Sequence, residues 1–255
     1  MNPIPDNFTF PAIGVVRSCY RAKFGIPRQP GLVPEAKGKV CLLPPYNQPN
    51  TVRGLEDFSH LWLLFVFHEA MRENWKATVR PPRLGGDKRI GVFASRSPFR
   101  PAPIGLSVVK LDKVVATSGG RVWLEVSGLD LLDGTPILDI KPYLPYADIV
   151  PEATGGFAPE APEQDALQIT VSPEAEAEFT RLAAQGKPDL KALALKVLAQ
   201  DPRPAYQKET NRVYGVFLDG YEIVWRTTDD AQQLVIMGIR KDTGQKLPYP
   251  QPPLP

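Results

Sequence analysis

The sequence predicts a mainly β chain. A closed or partly closed barrel is expected over residues 1–150 and a small α+β unit over 166–255, joined by a linker at 151–165. Three observations carry this. Short apolar segments, several of them alternating with polar residues and separated by Pro/Gly turns, fill the first half, where helical periodicity is scarce. A closed barrel is the arrangement that leaves such strands without open edges. Residues 151–165 are rich in Pro, Glu, Ala and Gly and show no apolar period, as linkers do. Beyond them, helix caps and helical periods appear.

The elements follow in order. Ile13–Cys19, Gly38–Leu43 and Arg121–Val126 alternate in part or throughout, as half-buried strands do. Leu61–Phe67 is continuously apolar and suits a strand buried on both faces. Leu106–Val115 continues the strand pattern, Thr135–Ile140 supplies a short strand, and Gly54–His60 suits a turn of helix. Ser172 can cap a helix that has Pro173 at its first position and runs to Ala184. Pro188 opens a second helix, Asp189–Gln200, with Leu190, Leu193, Ala194, Val197 and Leu198 on one face. Val213–Leu218, Tyr221–Arg226 and Gln233–Ile239 read as three strands, and Asp219-Gly220 is a two-residue hairpin turn.

Net charge is only +2 over 255 residues, so any nucleic-acid footprint must be local. Val79–Pro103 is the local candidate: Arg80, Arg83, Lys88, Arg89, Arg96 and Arg100 face a lone Asp87. Cys19 and Cys41 lie in strand-like surroundings and read as small core residues. With His60 and His68 the only histidines and no Cys-x-x-Cys, no metal site is expected. The N-terminus lacks the pattern of a signal peptide, and Leu61–Phe67 is too short to span a bilayer, so a cytoplasmic, membrane-free protein is expected.

The most informative stretch is Ile90–Leu111. Strand-like residues flank a loop, Ser95–Pro103, that holds Arg96 and Arg100 and is stiffened by Pro98, Pro101 and Pro103. Two readings fit: a seat for a carboxylate or phosphate, or a Pro-rich surface crossing with solvated arginines. No Gly-x-Gly-x-x-Gly occurs, which argues against a Rossmann-type cofactor site.

That stretch, with Pro27-Arg-Gln-Pro-Gly31, Pro45-Tyr-Asn-Gln48, Leu61-Trp-Leu-Leu-Phe-Val-Phe-His-Glu69 and Leu131-Leu-Asp-Gly-Thr-Pro-Ile137, resembles the TsaA-like family. The resemblance covers residues 10 to 150 and continues more loosely to the C-terminus. It implies a β-barrel S-adenosyl-L-methionine-dependent tRNA methyltransferase. The target would be N6 of threonylcarbamoyladenosine at position 37, in the anticodon stem-loop of threonine tRNA above all. The family's cofactor positions map onto Pro27, Arg28, Gln29, His68, Glu69, Arg96, Leu106, Asp133, Gly134, Thr135 and Pro136. Glu69 would accept from a ribose hydroxyl or the cofactor ammonium, and the Asp133–Pro136 turn would read the adenine edge. The resemblance further implies a homodimer paired through the barrels, with the cofactor near the subunit boundary.

The acceptor nitrogen is urea-like and must lose its proton, so a general base or anion-stabilising donors would help. Tyr46, His68, Asp139 and Tyr143 are candidates among which the sequence does not choose. Arg100 or Lys141 could pair the threonyl carboxylate; with Arg80, Arg83, Lys88 and Arg89 they make up the expected tRNA contacts. Two other classes stay open. A non-catalytic RNA-binding module would use the basic segment with Trp75, Phe93 and Phe99, and an interaction scaffold would explain the 29 prolines.

Overall fold

The computed structural model describes residues 7–162, 167–203, 212–228 and 233–244. The first strands are β1 (Gly14–Ser18), β2 (Lys37–Leu42) and β3 (His60–Val66), followed by the two-residue strands β4 (Thr78–Val79) and β5 (Ile90–Gly91). Then come β6 (Ile104–Ala116), β7 (Val122–Ser127), β8 (Pro136–Pro142) and the four-residue helix α1 (Pro145–Asp148). Six of these strands close into a barrel in the order β1-β2-β7-β6-β3-β8, every neighbour antiparallel. Successive side chains point to opposite faces of a strand, so one set fills the barrel. Val16, Val40, Leu61, Leu63, Phe65, Val109, Leu124 and Val126 form that core.

Three expectations are corrected here. The apolar run in β3 is not buried on both faces: burial alternates, with Leu61, Leu63 and Phe65 inside and Trp62, Leu64 and Val66 half-buried outside. A closed barrel has a single interior, so the outer row needs some other cover. The second concerns the strand-like residues from Ile90. Only Ile90–Gly91 pairs, with Thr78–Val79, and Val92–Ala94 is a 3-10 turn. Both cysteines are free thiols. Cys19 is buried, and burial pushes its thiol up to about 12. Cys41 is only half-buried, which corrects its placement in the core.

The second unit holds β9 (Gln168–Val171), α2 (Pro173–Ala184), α3 (Leu190–Ala199), β10 (Val213–Leu218), β11 (Tyr221–Thr227) and β12 (Gln233–Lys241). Its sheet runs β10-β11-β12-β9, with β9 parallel to β12. Ser172 Oγ accepts from the Ala175 N–H at 3.2 Å, the N-cap that the sequence marks. Asp219 and Gly220 have φ of 49° and 87°, the left-handed pair that a tight hairpin between β10 and β11 requires.

The second core also takes in Cys19, Tyr20, Val33 and Ala36, from the β1–β2 connection. Tyr20 bridges Leu218, and the Asp219 N–H donates to the Cys19 carbonyl at 2.8 Å. Gly25 lies flat on β10: at φ +90° a Cβ would collide with the Val216 side chain. The long β1–β2 connection is therefore clamped by the C-terminal unit, and one barrel rim is held stiff from outside.

Candidate active site at one rim of the barrel

One barrel end collects the C-terminal ends of β1, β3 and β7 and the starts of β2, β6 and β8, as the strand registers require. Every residue that the family resemblance marks for the cofactor lies at this end. Pro27, Arg28 and Gln29 are on the β1–β2 connection, with Pro27 buried and Arg28 exposed. His68 and Glu69 open the 3-10 turn that ends β3. Leu106 lies near the start of β6, and Asp133–Pro136 is the turn into β8.

Ion pairs and hydrogen bonds tie these separate loops together. Lys23 Nζ donates to the Glu69 carbonyl at 2.8 Å and lies 3.4 Å from its carboxylate. Arg96 Nη1 donates to Gln29 Oε1 at 2.6 Å. The Gly31 N–H donates to the Gly128 carbonyl at 2.9 Å. In the β8 turn, Asp133 Oδ1 accepts from the Ser18 N–H at 3.0 Å, and Arg17 lies 3.6 Å from its other oxygen. The N–H groups of Asp133, Gly134 and Thr135 donate to the carbonyls of Tyr20, Val16 and Leu132. The turn's donors are thus engaged within the chain.

Sequence reasoning missed Asp130. It sits between Leu129 and Leu131, both barrel-core residues, and its Oδ1 accepts from Ser107 Oγ at 2.7 Å. Ser107 is 1% exposed and lies on the interior face of β6, so this carboxylate reaches into the barrel mouth. Desolvation pushes its pKa up to about 6, against the opposing effects of the Ser107 hydroxyl, the backbone and the Arg96 guanidinium. Nearby, the Tyr20 hydroxyl is fully buried and has no hydrogen-bond partner among the described residues, and its pKa is raised first by burial and then by neighbours that include Cys19, Asp130 and Glu35. A signal existed: a carboxylate flanked by core leucines in a turn motif is seldom a solvated one.

The four candidate catalytic residues are not brought together within one chain. His68 alone is at the rim. Tyr46 follows β2 and Tyr143 follows β8, so both lie at the opposite barrel end. Asp139 is on β8, opposite Leu64, which in turn faces Leu106 across β6. Asp139 and Leu106 therefore share a row two strand spacings apart, about 10 Å. Lys141 is ion-paired with Asp139 at 2.9 Å.

The basic segment forms an exposed arm. Arg80, Arg83, Lys88 and Arg89 are exposed around the β4–β5 ribbon, while Arg100 is half-buried, donating to the Ser95 carbonyl at 3.0 Å. Trp75, Phe93 and Phe99 are all exposed, and Arg72 stacks over Phe99 at 4.1 Å. Among the described residues no group of three or more His, Cys, Asp or Glu could hold a metal, and no helix is long and apolar enough to cross a membrane.

The fold defines a class: a six-stranded antiparallel β-barrel protein with an appended α+β unit and an exposed arm that carries basic and aromatic side chains. Comparison with known proteins narrows it. Residues 15–149 match the tRNA-methyltransferase O N-terminal domain, and residues 164–242 match the TrmO C-terminal domain. The chain belongs to the tRNA-methyltransferase O family. It is 53% identical over 227 residues to the tRNA (adenine(37)-N6)-methyltransferase of Escherichia coli K12, spanning 88% of this chain and 95% of the relative. It is 49% identical over 214 residues to a putative S-adenosylmethionine-dependent methyltransferase, RcsF, of Pseudomonas aeruginosa, spanning 84% and 90%. The crystal structure of TrmO from Pseudomonas aeruginosa superposes with a TM-score of 0.75 at 39% identity, covering 91% of this chain and 98% of that one.

Proposed function

We propose that the protein is an S-adenosyl-L-methionine-dependent methyltransferase acting on N6 of adenine 37 in tRNA, and that its substrate nucleoside is threonylcarbamoyladenosine, foremost in threonine tRNA. The observation that carries the reading is the convergence of all the family's cofactor positions on one rim, from loops far apart in sequence. The residues there fit the cofactor. Arg96 offers a planar donor fork for a carboxylate. Glu69 and Asp130 offer carboxylates for an ammonium or for hydroxyls. Pro27 and Leu106 supply apolar walls, Leu106 being 50% exposed. When bound, the cofactor supplies a methyl group on a sulfonium for in-line displacement, so the chain's main task is positioning. His68 is the rim residue suited to take the N6 proton, and Arg100 is the arm cation suited to the threonyl carboxylate.

The arm is the proposed tRNA contact, through Arg80, Arg83, Lys88 and Arg89, with Trp75 and Phe93 available to stack on anticodon-loop bases. We also propose a homodimer formed through the outer face of β3 and β6. Ile104 and Leu106 are 43% and 50% exposed there, beside half-buried Trp62, Leu64 and Val66. A continuous apolar row of this kind calls for a partner surface. The same reading places the protein in the cytoplasm, where its tRNA is.

The test is mass spectrometry of nucleosides from threonylcarbamoylated tRNA incubated with protein and cofactor. One added methyl on that nucleoside is expected. Methylation of unmodified adenosine 37 at an equal rate overturns the substrate assignment, and no methylation of either overturns the enzyme reading. Light scattering tests the dimer: a mass near 28.2 kDa for the active species overturns it.

A further inference from the structure

The chain leaves the barrel after β1 and re-enters it at β2 through residues 19–36, a connection with no helix or strand of its own beyond the Tyr20–Leu218 bridge. Among the described residues it gives no apolar side chain to the barrel core. Its buried Cys19, Tyr20, Val33 and Ala36 belong instead to the core of the C-terminal unit, and Phe24 and Ile26 pack against that core. Phe24 stacks on Tyr214 of β10, with ring centroids 6.3 Å apart. Gly25 lies against Val216 of the same strand, and the Arg21 guanidinium lies over Phe217, 5.8 Å from the ring centroid. Pro27, Arg28 and Gln29 follow almost at once. From the barrel side that stretch is held by polar contacts: Gln29 accepts from Arg96, and the Gly31 N–H donates to the Gly128 carbonyl.

We propose that the C-terminal unit is a splint for the cofactor loop and that Phe24 is the positioning residue: seated against Tyr214, it fixes the Pro27–Gln29 segment at the rim before the cofactor binds. The inference rests on the reading of the rim as the cofactor site, and it gives the C-terminal unit a task in the reaction. Phe24 is not among the cofactor positions. It packs with the second core and acts through the segment that follows it.

The physical reason is entropic. A long connection without regular structure is ordinarily mobile, and a binding segment that must be ordered by its ligand lowers the affinity for that ligand. Burying Phe24, Val33 and Ala36 against the C-terminal unit meets the ordering cost during folding, because apolar area leaves water whether or not cofactor is present. The coupling is reciprocal. If docking of the loop favours cofactor binding, cofactor binding must strengthen docking of the loop by the same factor.

Calorimetry of S-adenosyl-L-methionine binding to the full chain is the first test, with methyl transfer at saturating cofactor beside it. Phe24→Ala should bind about 10-fold more weakly, a loss of about 1.4 kcal/mol, which is the order of one residue's backbone ordering. Its kcat at saturating cofactor should stay near that of the wild type, because the loop once docked is the same. Phe24→Leu, which keeps an apolar side chain against Tyr214, should restore most of the affinity. A residue that serves stability alone would lower the unfolding midpoint and leave the affinity of the folded protein unchanged, and that result overturns the inference. So does a fall in kcat without a fall in affinity, or a loss in Phe24→Leu as large as in Phe24→Ala. Hydrogen exchange on the wild type requires no variant to fold. Saturating cofactor should slow exchange of the Asp219 N–H, which donates to the Cys19 carbonyl at 2.8 Å across the seam between loop and C-terminal unit. Unchanged exchange there overturns the inference and leaves the cofactor site intact. Failure of the wild type itself to bind overturns the site reading and the inference together.

Discussion

Gly105 offers a direct test of how the barrel end beneath the site is packed. It faces Phe65 across the β3–β6 pair, and both point into the barrel. A Cβ at Gly105 would lie 2.7 Å from Cε1 of the Phe65 ring and closer still to Cζ and Cε2. Carbon contacts settle near 3.5–4.0 Å, so the ring would have to retreat by about 1 Å or more. It has little room to do so: Phe65 is 4% exposed and stands edge-on to Phe67 with centroids 4.9 Å apart. Gly105 is not among the glycines with positive φ, so an alanine meets no backbone objection there. Over-packing of this sort costs about 1–3 kcal/mol. Reduced freedom of the unfolded chain returns about 0.4–1 kcal/mol. Gly105→Ala should thus lower stability by roughly 1–2 kcal/mol in denaturant titration, with an unchanged slope. Phe65→Leu, which removes the ring, should convert the same alanine from harmful to neutral or better, giving a coupling of about 1 kcal/mol or more in a double-mutant cycle. Equal midpoints for Gly105→Ala and wild type, or strict additivity with Phe65→Leu, would refute the packing account.

Three further outcomes are expected. Asp130 has its pKa raised from 3.8 to about 6, so folding is favoured below the lower value and the contribution is lost as pH rises through the higher one. At pH 7 Asp130→Asn should therefore be more stable than wild type, by up to about 3 kcal/mol, with the gain vanishing near pH 4; melts at the two pH values check this. Arg96→Ala should weaken cofactor binding by about 2–3 kcal/mol, whereas Glu69→Ala should cost less because Lys23 already neutralises that carboxylate; calorimetry separates the two. Replacing both Arg80 and Arg83 by alanine should weaken tRNA binding and flatten its salt dependence by up to about two phosphate contacts, with cofactor affinity intact; filter binding across a salt series reads this.

The local elements were legible in the sequence because short-range chemistry decides them. The Ser172 cap, the α3 face and the Asp219-Gly220 turn all follow from caps, period and left-handed backbone preference, and the structure has each where the sequence puts it. The motif set also identified the family and, through it, the residues that meet at the rim. Other features depended on closure of the chain in space. The apolar run of β3 carries no mark of which residues a barrel leaves outside, so Trp62, Leu64 and Val66 read as core. Strand β9 is four residues beside a linker, too short for its period to speak, and it is defined by parallel pairing with β12. Tyr46 sits in the Pro45–Gln48 motif and Asp139 and Tyr143 just beyond Leu131–Ile137, yet strand direction carries Tyr46 and Tyr143 to the far end and Asp139 to the outer face. Asp130 lay unnoticed between two leucines because its hydrogen-bond partner, Ser107, is 23 positions away. Sequence by itself determined what each segment prefers to be. Only the tertiary structure decided which charges share a desolvated space, since that depends on closure of a barrel whose contacts are far apart along the chain.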